Sequence, residues 1–153
     1  MQATAIPLPT IHDEAATKRE FAEYFTETWG KGAGPNFFER FERRMHPDVV
    51  LIQPLSRPVR GRDGFRRAFE RLFRAIPDLR GVVHQWAPTR DGIMIEMTLE
   101  GTLGKRHIEW TLVDAIVLEG SLIRERRSYF DSLPLLRTVL HEPRIAWSLL
   151  RGL

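Results

Sequence analysis

The 153-residue chain contains no cysteine, which excludes disulfides, thiol nucleophiles and cysteine metal sites. No stretch approaches the ~18 consecutive apolar residues of a membrane span, so no membrane partner is expected. Met1–Thr10 has neither a basic n-region nor a long apolar run, so no secretory signal is read there and the expected setting is the cytoplasm. Nucleotide-binding glycine motifs (G-x-G-x-x-G, G-x-x-x-x-G-K-[ST]) and the G-x-S-x-G nucleophile elbow are also missing. The five histidines (His12, His46, His84, His107 and His141) are scattered without H-x-x-x-H spacing. A metal site needs about three converging ligands, so neither metal nor cofactor is expected. Lysine is scarce: Lys18, Lys31 and Lys105 stand against 20 arginines, and the net charge is only +3. Ten arginines fall between 40 and 74. Arg67, Arg71 and Arg74 share a helix face without exposed aromatics between them, so this reads as a solvated face and no nucleic-acid partner is expected.

What is present is enough apolar residue, 42%, for one domain with a real core. Residues 1–12 read as an extended lead-in because of Pro7 and Pro9, residues 13–141 as the domain, and residues 142–153 as an apolar tail. Phe21, Tyr24, Phe25, Thr28 and Trp29 recur at helical spacing from about Asp13, until Gly30, Gly32 and Gly34 end the pattern. Pro35 opens a second helix with Phe37, Phe38, Phe41 and Met45 on one face, and Pro47 stops it. Residues 48–53 read as a strand. A third helix over about Asp63–Ile76 turns Phe65, Phe69, Leu72, Phe73 and Ile76 inward. Strands near 80–87, 92–103, 106–118 and 121–130 are joined at Asp91-Gly92, Gly104-Lys105 and Glu119-Gly120 as antiparallel hairpins, and a last helix starts near Ser132. The fold class is α+β: helices on one face of a curved antiparallel sheet, with a conical cavity between them as the default ligand site.

The strings HPDVVLIQPL (46–55), GRDGFRRAFERLFRAIPDL (61–79) and VLEGSLIRERRSYFDSLPLL (117–136), in this element order, resemble the nuclear transport factor two-like superfamily. Within it they are similar to the SnoaL-like polyketide cyclases and limonene epoxide hydrolases. The resemblance implies a cone-shaped α+β barrel (cystatin-like) with helices on the concave face of the sheet. It also implies homodimers formed through the outer face of the sheet. Epoxide hydrolases of this fold carry an aspartate where this chain has Ser128, and a tryptophan where it has Arg126. Their Arg-x-Asp would fall near Met97 and Leu99, so that triad is absent, although Gln53 matches the asparagine that holds the attacking water. SnoaL-like cyclases use an acid-base aspartate near the end of the last strand, and Asp131 matches it approximately.

Strand alternation, with the resemblance, turns Arg124, Arg126, Ser128 and Phe130 toward the cavity. A two-residue turn at Glu119-Gly120 then sets Glu109, Thr111 and Val113 opposite Phe130, Ser128 and Arg126, with His107 on the same face. This register also sets Asp114 against Glu125, a like-charge pair, whereas one more residue in the turn pairs Asp114 with Arg126. The first register is the expectation. The candidate catalytic residues are Asp131, Glu109 and Arg126; the candidate binding residues are Tyr24, Trp29, Gln53, His107, Thr111, Ser128 and Phe130. Each has a plainer role beside it: Asp131 as a helix cap, Glu109 and Arg126 as a neutral pair, the aromatics as core. Small-molecule chemistry is the leading reading: a cofactor-free acid-base enzyme, isomerase or cyclase in type, on an apolar oxygenated substrate. The alternative is a non-catalytic dimeric binder of a hydrophobic metabolite. A buried carboxylate without a partner favours the enzyme, and one neutralised by arginine favours the binder.

Overall fold

Phe21, Phe25 and Trp29 recur every four residues, which stacks three aromatic rings along one side of a helix. The computed structural model, which describes residues 11–141, forms that helix over Ile11–Lys31 (α1) and buries all three rings. The expected lead-in and tail fall outside the described residues, apart from Ile11 and His12, which open α1. Then follow α2 (Phe37–Glu42), β1 (Met45–Ile52), the short β2 (Val59–Arg60) and α3 (Gly61–Ala75). Four long segments, β3 (Arg80–Thr89), β4 (Gly92–Leu103), β5 (Arg106–Glu119) and β6 (Leu122–Tyr129), precede α4 (Leu133–Leu140).

The sheet order is β2-β1-β6-β5-β4-β3, a curved and unclosed six-stranded sheet. Packing α1 on β3 and β4, and α3 on β1 and β2, gives the α+β cone the sequence predicts. Gly81 permits the α1 contact: a Cβ there would lie 2.3 Å from Met97 Cε and 3.0 Å from Trp29 Cβ. Inward residues alternate along β4, where Ile93, Ile95, Met97 and Leu99 are buried while Met94, Glu96, Thr98 and Glu100 face out.

Two expectations are corrected. The sheet is not wholly antiparallel, because β1 pairs with β6 in parallel, Leu51 beside Arg126. The second helix ends early, because Met45 already starts β1 and Pro47 lies within the strand. The β1–β6 register is irregular between Met45 and Val50, where a residue without an N–H donor is tolerated.

The space expected to be an open cone is packed with rings. Phe65 and Phe69 stack with centroids 4.3 Å apart, and Phe37 meets Phe41 and Phe73 at 4.7 Å. A depression of about 530 Å³ opens outside this layer, where α2 meets the end of α3, with Ala33, Phe38, Phe73 and Arg74 in its wall.

Candidate functional site

The hairpin between β5 and β6 decides which polar groups reach the interior. Gly120 takes φ 62°, and Glu119 pairs with Leu122, so the turn residues are Gly120 and Ser121. That shift alone, by two residues, preserves the expected faces. A bulge then inserts Arg124 on β6: Leu118 pairs with Ile123, but Val117 pairs with Glu125. One extra residue exchanges every inward residue of β5. Asp114 therefore stands opposite Ser128 and Ile116 opposite Arg126.

The result is a buried polar group inside an aromatic shell. Asp114, Arg126 and Ser128 are 0%, 3% and 7% exposed. Arg126 Nε donates to Asp114 Oδ2 at 2.7 Å with Nη2 2.5 Å from the same oxygen, and Ser128 donates its hydroxyl to Oδ1 at 2.5 Å. Both carboxylate oxygens are thus engaged. The guanidinium carbon lies 5.3, 5.5 and 5.8 Å from the ring centres of Trp29, Phe25 and Phe69, which spreads its charge over π faces. Two donors inside this shell, Arg126 Nη1 and Trp29 Nε1, have no acceptor among the described residues. Such groups are rare in native interiors, because an unmet buried donor costs about 1–3 kcal/mol.

Of the residues expected at the site, Arg126, Ser128 and Trp29 come together here. Phe130 is half-buried against the same core. Gln53 is half-buried just beyond the end of β1. Tyr24 is half-buried too, but its hydroxyl donates to the Arg40 carbonyl, and burial raises the phenol above its ordinary pKa. The expected register would turn Glu109, Thr111 and His107 inward; the bulge turns all three to the outer face. Glu109 sits directly across from Glu100, and Thr111 bonds Thr98 at 3.0 Å. His107 Nε2 lies 3.9 Å from Glu100, whose other oxygen holds Arg80. Glu100, His107 and Glu109 have ligand-type atoms within 4.8 Å of one another, a grouping that the expected inward register had hidden. Asp131 is exposed and accepts the Leu133 N–H at 3.0 Å, capping α4.

Asp114 stands outside the expected candidates, although the longer-turn register pairs it with Arg126. Its signal was legible: a carboxylate in the middle of the apolar run TLVDAIV, with Leu112 and Ile116 on its own face. A charge so placed needs a partner from the neighbouring strand.

A curved sheet closed over by helices, with its polar chemistry inside, is the architecture of the nuclear transport factor two-like proteins. The family model for the SnoaL-like domain matches residues 21–126, and the chain belongs to that family. Solved structures repeat the fold. A candidate SnoaL-like polyketide cyclase from Jannaschia sp. CCS1 is 19% identical, with a TM-score of 0.70 over 79% of this chain and 90% of that one. The phenazine biosynthesis-related protein PhzB2 from Pseudomonas aeruginosa is 16% identical, with a TM-score of 0.69 over 84% and 90%. AclR, a candidate hydroxylase from Streptomyces galilaeus, is 17% identical, with a TM-score of 0.67 over 80% and 95%. No curated protein matched the chain. The family makes this a small-molecule-binding protein of the SnoaL-like type. No described helix is long and apolar enough to cross a membrane.

Proposed function

We propose that the chain binds an apolar, oxygenated metabolite without transforming it. The observation that carries this reading is the state of Asp114. It is the one fully buried carboxylate among the described residues, and Arg126 and Ser128 hold both of its oxygens. Among the described residues no free carboxylate is left inside to abstract a proton. The other acid-base candidates, Asp131 and Glu109, are exposed, one capping α4 and one on the outer face. Apolar contact area is supplied by the depression walled by Ala33, Phe38 and Phe73. Buried Phe37 stands between Phe73 and Trp29, 4.7 and 5.1 Å from each, and separates this depression from the buried Asp114–Arg126 pair.

The structural neighbours, named for polyketide cyclisation, phenazine biosynthesis and hydroxylation, support flat oxygenated ligands as the class to try. A dimer through the outer face of the sheet completes the reading. Val82, Met94, Val117 and Tyr129 are 38–55% exposed there. Native mass spectrometry of the purified protein tests it: a co-purifying ligand recovered unchanged after incubation is expected, on a dimeric mass. Conversion of the ligand, abolished by Asp131→Asn or Glu109→Gln, would restore the enzyme reading.

A further inference from the structure

We propose that Glu100, His107 and Glu109 form a site for a divalent transition-metal ion of the zinc type on the outer face of the sheet. The proposal stands apart from the metabolite reading above. Its three side chains come from two strands. Glu100 pairs with Glu109 and Thr102 with His107 across β4 and β5, and buried Ile108 between His107 and Glu109 turns both outward. Spacing along one segment cannot reveal such a set, which is why scattered histidines gave no expectation of a metal. The three donor atoms lie within 4.8 Å of one another, and His107 Nε2 is 3.9 Å from Glu100 Oε2. Zinc bound at about 2.0–2.2 Å needs tetrahedral donors about 3.4 Å apart. Closing that gap asks only for rotation of His107 and Glu109, both exposed.

Three observations favour an ion over a bare acidic patch. Arg80 places Nε and Nη2 each 2.6 Å from Glu100 Oε1, which orients the carboxylate and leaves Oε2 toward His107. Glu109 and His107 make no hydrogen bond among the described residues, so their donor atoms are free to turn. Glu100 and Glu109 also oppose each other directly, and such a like-charge pair is unfavourable until a cation lies between them. The imidazole selects zinc-like ions over magnesium and calcium, which take oxygen donors. Three protein donors leave at least one position for water. The Thr98–Thr111 and Glu96–Val113 rows separate this site from Met94 in the apolar part of the same face.

The test titrates zinc chloride into the full chain, purified without a histidine tag, by calorimetry and by NMR of the imidazole rings. One ion per chain is expected, with the His107 ring signals shifting first. Losing a group that merely supports a metal ligand costs about 10–100-fold in affinity, so Glu109→Gln and His107→Asn should each weaken zinc binding at least about tenfold. His84→Asn, on the same face beside Thr98, should leave it unchanged. Zinc should also raise the melting temperature of the wild type and not that of the two weakened variants. Magnesium or calcium binding as tightly as zinc overturns the proposal in favour of a plain acidic surface. So does zinc affinity that survives both variants, or zinc that shifts His46 or His84 signals in place of those of His107. Absence of heat and of any shift at millimolar zinc overturns it as well. None of these outcomes touches the metabolite reading.

Discussion

Arg126 places two nitrogens on one oxygen of Asp114, Nε at 2.7 Å and Nη2 at 2.5 Å, and leaves the other oxygen to Ser128. The pair is buried on both sides, so its worth is judged by what happens when it is broken. Either Arg126→Met or Asp114→Leu alone strands a buried charge and should lose about 3–5 kcal/mol. The double variant removes both charges and should recover most of that loss. Urea denaturation of the four proteins measures the coupling; additive losses would mean that the pair does not act as a unit.

Ser128→Ala removes the donor to Asp114 Oδ1 and leaves that oxygen unmet. A loss of about 1–3 kcal/mol is expected. Ser128→Thr keeps the hydroxyl, and a similar loss there would point to packing rather than to hydrogen bonding.

The cap assignment for Asp131 separates two substitutions that an acid-base role would not. Asn caps as well as Asp, so Asp131→Asn should leave α4 as protected from hydrogen exchange as before. Asp131→Ala should cost about 0.5–2 kcal/mol and speed exchange in the first turn of α4. Equal effects from both substitutions would reject the cap.

Asp78 makes stability depend on acid pH. Thr102 donates to it from both its hydroxyl and its backbone N–H, each at 2.7 Å, and these bonds hold the carboxyl below its ordinary pKa. A folded-state value below the unfolded one means that the stabilisation is complete above the usual carboxylate range. It is lost as pH falls through the lowered folded value. The wild-type advantage over Asp78→Asn should therefore shrink across that acid window and stay constant from pH 6 to 8, as read from urea midpoints. An advantage that grows on acidification would reverse the sign.

Glu100 and Glu109 face each other across β4 and β5 on the outer surface, a like-charge pair. Glu109→Lys should raise the melting temperature modestly and leave ligand binding unchanged, because the side chain is exposed on the outer face of the sheet. Loss of binding would bring Glu109 back into the site.

Periodicity made most of the fold legible. The β4 bounds were read as 92–103 and the structure has Gly92–Leu103, because strict alternation and flanking glycines are local signals. The buried rings of α1 and α3 were likewise readable from three- and four-residue spacing. The interior of β5 was not, because it depends on the single inserted residue at Arg124. A bulge leaves no mark in an alternating sequence, yet it reverses every face beyond it. The warning was the Asp114–Glu125 clash that the simpler register produced. The β1–β6 pairing was missed for a related reason: hairpin signals report neighbours in sequence, and this seam joins residues far apart.

That seam also sets the order of assembly. Leu51 waits for Arg126, about 75 residues later, before the middle of the sheet exists. Until β6 is in place, the β3–β5 meander with α1 and the β1–β2 pair with α3 are two half-structures sharing no strand pairing. The last strand therefore joins the two halves, and it also carries the arginine that the interior needs. Long-range pairing of this kind makes folding slow. A chain cut before β6 would lose the join and the buried Asp114–Arg126 pair in one step.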